Sequence, residues 1–178
     1  MFSIFLLASV AASSAEFSLQ ADRRTQSASQ PRLDTPSRRI LAAHNNYRAS
    51  VGVPPLAWDH QLAAAASRYA SQMGRTGSLV HSPRGSRPGQ SENLWMGTGG
   101  AYTPEAMVGA WGAERAQFRS GVFPNVSTTG NWLDVSHYTQ MIWRGTTHVG
   151  CAIYRARSHD YLVCRYSPRG NRDGQRVP

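Results

Sequence analysis

Apolar positions along this chain recur at helical spacing in three places and give way to two β-rich runs near the C-terminal end. Ile40, Leu41, His44, Tyr47 and Arg48 share a helical period until Gly52 stops it, which predicts a first helix opened by Thr35 as cap and Pro36 at the first helical position. The following VPPLAW is extended. Asp59 caps a second predicted helix, with Leu62, Ala65, Ala66, Tyr69 and Met73 as its buried stripe before Gly74. Residues 75–100 are rich in Gly, Ser and Pro and read as a long loop, which in a compact domain marks function or disorder. Thr103, Pro104 and Glu105 open a third helix running to about Phe118, and a loop over 119–133 leads into a short helical stretch, SHYTQMIWR. VGCAIYR and YLVCRY, separated by ARSHD, read as a β-hairpin. Helices first and an antiparallel hairpin last define an α+β layered domain.

The hairpin bears on the cysteines. With Arg155 opposite Asp160 across a four-residue loop, Cys151 falls directly opposite Cys164, and these are the only two cysteines. In an exported chain they form one disulfide worth about 3 kcal/mol, and in a reducing compartment they are a buried thiol pair. Two cysteines alone leave a zinc site under-liganded. Export is what the start of the chain predicts. MFSIFLLASVAASSA has an apolar core followed by small residues that suit cleavage after Ala15, although no Arg or Lys precedes the core. The alternative is a mis-assigned start or an uncleaved apolar tail. The apolar run is too short for a membrane span, and no other segment is long enough. The expected organisation is a signal peptide over 1–15, a flexible polar leader over 16–36, one domain over 37–172 and a tail over 173–178.

Composition narrows the function classes only a little. Of 178 residues, 40% are hydrophobic and 16% charged, as in ordinary globular domains. Nineteen basic against ten acidic residues give a net charge of +9, and every basic residue is Arg. Such a chain is attracted to phosphates, anionic lipid head groups and acidic polysaccharides. The arginines are scattered rather than clustered, so a specific nucleic-acid site is not indicated. Asn125-Val126-Ser127 forms a glycosylation sequon.

Glu114 carries the sharpest chemical signal. Met107, Trp111, Glu114 and Phe118 occupy one helical face, so a carboxylate sits within an apolar stripe and must meet a cation or a donor. A structural salt bridge to an Arg would satisfy it equally well. His137 opens SHYTQMIW, His81 lies between Val80 and Ser82, and Glu92 follows eleven residues after His81. Two imidazoles and two carboxylates are acceptable Zn²⁺ ligands, but their long, irregular spacing makes the signal weak. His44, His60, His148 and His159 read as packing or surface residues. No GxSxG elbow, HExxH helix or P-loop is present.

HYTQMIWRGTT at 137–147 and YLVCRYSPRGN at 161–171 resemble the two signature motifs of the CAP superfamily of cysteine-rich secretory, antigen 5 and pathogenesis-related 1 proteins. AHNNYRASVGVPPLAWD, LVHSP, SENLW and WGAERAQF supply further matches in the family's order, so the resemblance covers about 38–171. It implies a three-layer α-β-α sandwich with a central antiparallel sheet and a cleft tetrad of His81, Glu92, Glu114 and His137. It also implies a divalent metal such as zinc on His81 and His137, and lipid, sterol or fatty-acid ligands near the cleft. Ser136 replaces the usual Gly, Arg172 replaces a common aromatic, and the extra cysteines of eukaryotic members are missing. Two functions follow as expectations. One is a non-enzymatic binding module for a lipid, sterol or polysaccharide, needing no cofactor. The other is a metal-assisted or acid–base hydrolase with Glu92 or Glu114 as general base, in which Ser136 is the nearest nucleophile to His137.

Overall fold

A computed structural model describes residues 33–178; the expected signal peptide and nearly all of the expected leader lie outside them. Helix α1 spans Thr35–Ser50, with Pro36 in its first turn as the sequence predicts. Its cap is Asp34 rather than Thr35, because the carboxylate accepts from the Ser37 N–H at 2.8 Å. Helix α2 spans His60–Thr76, and Asp59 caps it by accepting from the N–H groups of Gln61 and Leu62 at 2.7 and 2.9 Å. It continues through Gly74 and stops at Gly77, whose φ of 69° lies in the left-handed region open to glycine. Helix α3 spans Pro104–Gly112 and tightens into a 3₁₀ turn, Ala113–Gln117, so the predicted third helix ends where the pattern placed it. A 3₁₀ turn at Trp132–Val135 leads into helix α4, Ser136–Met141.

Two strands of the main sheet were not read from the sequence as such. β1 (Ala57–Trp58) and β2 (Ser91–Thr98) join β4 (His148–Arg155) and β5 (His159–Ser167) in one sheet of order β1-β4-β5-β2. The stretch 75–100 is therefore only partly loop. SENLWMGT becomes an edge strand because its pairing with β5 overrides the Gly and Ser around it. β1 runs parallel to β4, which makes the sheet mixed rather than antiparallel throughout. The hairpin register is as predicted: Arg155 pairs with Asp160 and Cys151 with Cys164, and the two cysteines form a disulfide. A second small sheet pairs β3 (Gly121–Val122) with β6 (Arg176–Val177). Val177 is fully buried, so the C-terminal stretch expected as a tail is part of the fold.

Side-chain alternation in the sheet produces the layers. Val149, Cys151, Leu162, Cys164 and Tyr166 pack against Ile40 and Ala43 of α1 and Met107, Val108 and Trp111 of α3. On the opposite face Leu94, Tyr161 and Val163 pack against Ala66, Ala70 and Met73 of α2. The domain is thus an α-β-α sandwich, and β5 is apolar on both faces because helices cover both. Gly150 is the point of closest approach between α2 and β4. A Cβ there would strike the backbone of Asp59, Leu62 and Ala63, which no side-chain rotation relieves. Gly150→Ala should destabilise by about 1–3 kcal/mol, read as a shift in the urea unfolding midpoint.

His44 of α1 lies wholly inside this core. Its Nδ1–H donates to the Ile40 carbonyl at 2.8 Å, and Nε2 faces the Tyr166 hydroxyl at the same distance. Burial is the main cause that pushes the imidazole down to about 4, with Arg48 adding to it against the opposing hydrogen bond to Ile40. An unfolded imidazole takes up its proton near pH 6.5, so between that pH and about 4 the unfolded chain binds the extra proton. Stability from this group is complete above pH 6.5 and is lost as the pH falls toward 4, by on the order of 3 kcal/mol. Thermal melts over that range should show the fall, and His44→Gln should flatten it.

Candidate functional site

Adjacent residues of an edge strand project to opposite faces, and that alternation at the start of β2 builds the site. Glu92 lies on the face toward α2, and Asn93 on the face toward α4. The Glu92 side chain is fully buried; Oε1 has two donors, and Oε2 has one donor and an ion pair. Oε1 accepts from His81 Nδ1 at 3.0 Å and from the Ser82 N–H at 2.9 Å. Oε2 accepts from the Ser82 hydroxyl at 2.8 Å and lies 3.1 Å from Arg165 Nη2. Burial alone would raise this carboxyl, but His81, Ser82 and Arg165 together outweigh it and hold it below the ordinary carboxylate range. Arg165 also lies over the Tyr69 ring, 5.7 Å from its centroid, so the α2 layer helps fix the pair.

A second pair stands on the other side of β2. Glu114 Oε1 accepts from His137 Nδ1 at 2.6 Å, and Oε2 accepts from the backbone N–H groups of His137 and Tyr138 at 2.9 and 3.0 Å. The carboxylate in the apolar stripe therefore meets donors at the start of α4, not an Arg. Trp111, one turn earlier on the same face, stacks on the His137 ring at 6.0 Å between centroids and 14° between planes. Asn93 Nδ2 donates to the His137 carbonyl at 3.1 Å, tying α4 to β2.

His81 and His137 line the same cavity, of about 990 Å³, and Glu92 and Asn93 reach it between them. A carboxylate can only accept, so it fixes each ring with the proton on Nδ1 and leaves Nε2 with its lone pair. The four-ligand zinc set considered from sequence is not assembled. Among the described residues, no three His, Cys, Asp or Glu side chains gather to hold an ion. Each glutamate instead bonds the Nδ1 of one imidazole, Glu92 that of His81 and Glu114 that of His137. Ser136 does not form a nucleophile with its neighbour His137, because its hydroxyl donates to the Leu133 carbonyl at 3.0 Å.

Sequence reasoning missed Ser82, Arg165 and Arg48. Arg165 was findable, since Tyr161, Val163 and Arg165 recur at period two and place a cation on a buried face. Arg48 is buried in α1, and its one side chain binds four backbone carbonyls. Nε donates to Pro54 at 2.6 Å, Nη1 to Met141 and Trp143 at 2.9 Å, and Nη2 to Thr146 at 3.0 Å. Burial lowers this guanidinium to about 10, helped by Arg144, which leaves it charged at neutral pH.

An α-β-α sandwich with paired His and Glu about a cleft at the sheet edge defines a recognisable class. The model of the cysteine-rich secretory protein family, CAP, matches residues 41–166, and the chain belongs to that family. It is 40% identical over 137 residues to pathogenesis-related protein 1A of Nicotiana tabacum, covering 76% of each chain. It is 38% identical over 135 residues to a pathogenesis-related protein of PR-1 type from Sambucus nigra, covering 75% of this chain and 77% of that one. The solved structure of NaASP2 with Zn²⁺ superposes with a TM-score of 0.70 at 25% identity, covering 82% of this chain and 86% of that one. No helix among the described residues is long and apolar enough to cross a membrane.

Proposed function

We propose that this chain is a secreted binding module whose cavity takes a lipid, sterol or polysaccharide ligand and holds a divalent metal, Zn²⁺, on His81 and His137. The observation that supports this is the pairing of each imidazole, through Nδ1, with its own carboxylate beside one shared cavity. Imidazole nitrogens so oriented suit zinc, which accepts two protein ligands only when ligand atoms or water complete its four positions. When bound, the ion would supply a Lewis-acidic centre to a ligand oxygen in the cavity. NaASP2, the structural relative described with Zn²⁺, is in keeping with this reading. Export is supported by the disulfide and by the family. The hydrolase alternative gains no observation, because Glu92 and Glu114, its general bases, already have donors on every carboxylate oxygen.

Calorimetric titration of chelator-treated protein with zinc tests the metal. One ion per chain is expected, and His81→Ala or His137→Ala should weaken it by more than the roughly 10- to 100-fold lost when an outer-shell partner is removed. The chain recovered from the medium should lack residues 1–15 by intact mass. Undiminished zinc uptake by the double variant His81→Ala, His137→Ala, or peptide or polymer hydrolysis that vanishes with it, would overturn this reading.

A further inference from the structure

The same cavity carries more positive charge than a metal pair needs. Arg84, Arg87, Arg169 and Arg172 all line it, and among its lining residues only Glu92 and Asp173 are acidic. Glu92 is already neutralised from within by Arg165, whose Nη2 lies 3.1 Å from its Oε2. The four arginines come from two segments held side by side, because the Arg169 N–H donates to the Gly89 carbonyl at 2.9 Å. The second segment is fixed against α4: the Gly170 N–H donates to Gln140 Oε1 at 3.0 Å, and Asn171 Nδ2 donates to the Ser136 carbonyl at 2.8 Å. Arg87 is anchored, its Nε donating to the Ser82 carbonyl and Nη1 to that of Gln90. The guanidinium groups of Arg84, Arg169 and Arg172 are exposed and make no hydrogen bond or ion pair within the described residues. Scattered in sequence, these cations are gathered only by the fold.

The cavity's other wall decides the class of anion. Phe123, Trp132 and Leu133 line it, the rings of Phe123 and Trp132 packed edge to face at 5.1 Å between centroids. Aromatic rings pack against the C–H faces of sugars, and guanidinium forks bind carboxylates in pairs. The remaining lining is mostly polar, including Gln90, Ser91, Asn93, Ser136 and Asn171, and suits hydroxyl groups better than an acyl chain. At about 990 Å³ the cavity stands at the upper end for ligand sites, room for several linked rings.

We infer that this cavity binds an acidic oligosaccharide, a polyuronate, with Arg84, Arg169 and Arg172 pairing its carboxylates and Trp132 packing against a sugar ring. This rests on the reading of the cavity as a ligand site but not on the metal. The probe is a de-esterified oligogalacturonate, titrated calorimetrically into the full chain in the presence of a chelator, so that loss of zinc binding and loss of this inference are scored separately. The wild type should bind, more weakly as salt rises. The triple variant Arg84→Gln, Arg169→Gln, Arg172→Gln should lose about tenfold or more, since each exposed ion pair contributes modestly and three are removed. Trp132→Ala should weaken binding without changing its salt dependence. A charge-matched control, Arg68→Gln, Arg75→Gln, Arg157→Gln, of exposed arginines that do not line the cavity, should bind within about twofold of the wild type, because screening leaves such charges little effect. The inference is overturned if the wild type fails to bind, if the fully methyl-esterified oligomer binds equally, or if the control variant loses as much as the cavity variant. It is also overturned if phosphatidic acid vesicles, and not the oligomer, show the dependence on the cavity arginines.

Discussion

Arg48→Met should cost about 3–5 kcal/mol of unfolding free energy, the largest loss expected from any single replacement in this chain. Methionine fills much of the volume, so the effect isolates the lost donors. Arg48 reaches four carbonyls from three separate stretches: Pro54 after α1, Met141 at the end of α4, and Trp143 and Thr146 in the turn before β4. An acceptor buried without a donor costs about 1–3 kcal/mol, and relaxation recovers only part of that. Arg48→Lys should recover little, because one ammonium with three hydrogens cannot span four carbonyls fixed by a planar fork. Chemical unfolding of the three proteins checks this, and a Lys variant as stable as the wild type would contradict the fork geometry. The replacement should also loosen the cavity, since the segment that Arg48 holds carries His137 on α4.

The second large effect is expected at Glu114. Glu114→Ala removes the acceptor for two backbone N–H groups and one imidazole at the start of α4, and should cost about 3 kcal/mol. Glu114→Gln keeps the shape and should fold better. Its amide can, however, turn an N–H toward His137 Nδ1 and reverse the tautomer, so zinc affinity should fall about 10- to 100-fold in a protein that remains folded. Zinc titration alongside melting separates the two consequences. A Gln variant with unaltered zinc affinity would show that the carboxylate does not orient the ring.

Glu114 was legible in the sequence for the reason that makes it matter. A helical period exposes a carboxylate in an apolar stripe, and α3 keeps that period through its 3₁₀ end. The disulfide was legible too, because a hairpin with a short loop fixes its register locally. Glu92 left only a weak spacing signal beside His81 and was put in the cleft by family resemblance. Its strand is an edge strand specified by pairing with β5, a contact about seventy residues distant that no local pattern records. The same limit hid β1, whose two residues form a strand only because β4 lies beside them. Arg48 looked like one more member of a helical stripe, because its partners are carbonyls from elsewhere in the chain and carbonyls leave no mark in a sequence. The arginine-lined wall of the cavity was hidden likewise: Arg84 and Arg172 are far apart along the chain and line one cavity because long-range bonds such as that of Arg169 to Gly89 bring their segments together.

The most direct test is the position of a zinc ion in crystals of the chelator-treated protein soaked with zinc and measured at the zinc absorption edge. A single anomalous peak is expected in the cavity, about 2.0–2.1 Å from Nε2 of both His81 and His137, with Glu92 and Glu114 still bonded to the opposite ring nitrogens. A peak that one imidazole alone can reach, or one ligated by either glutamate in place of a histidine, would contradict it.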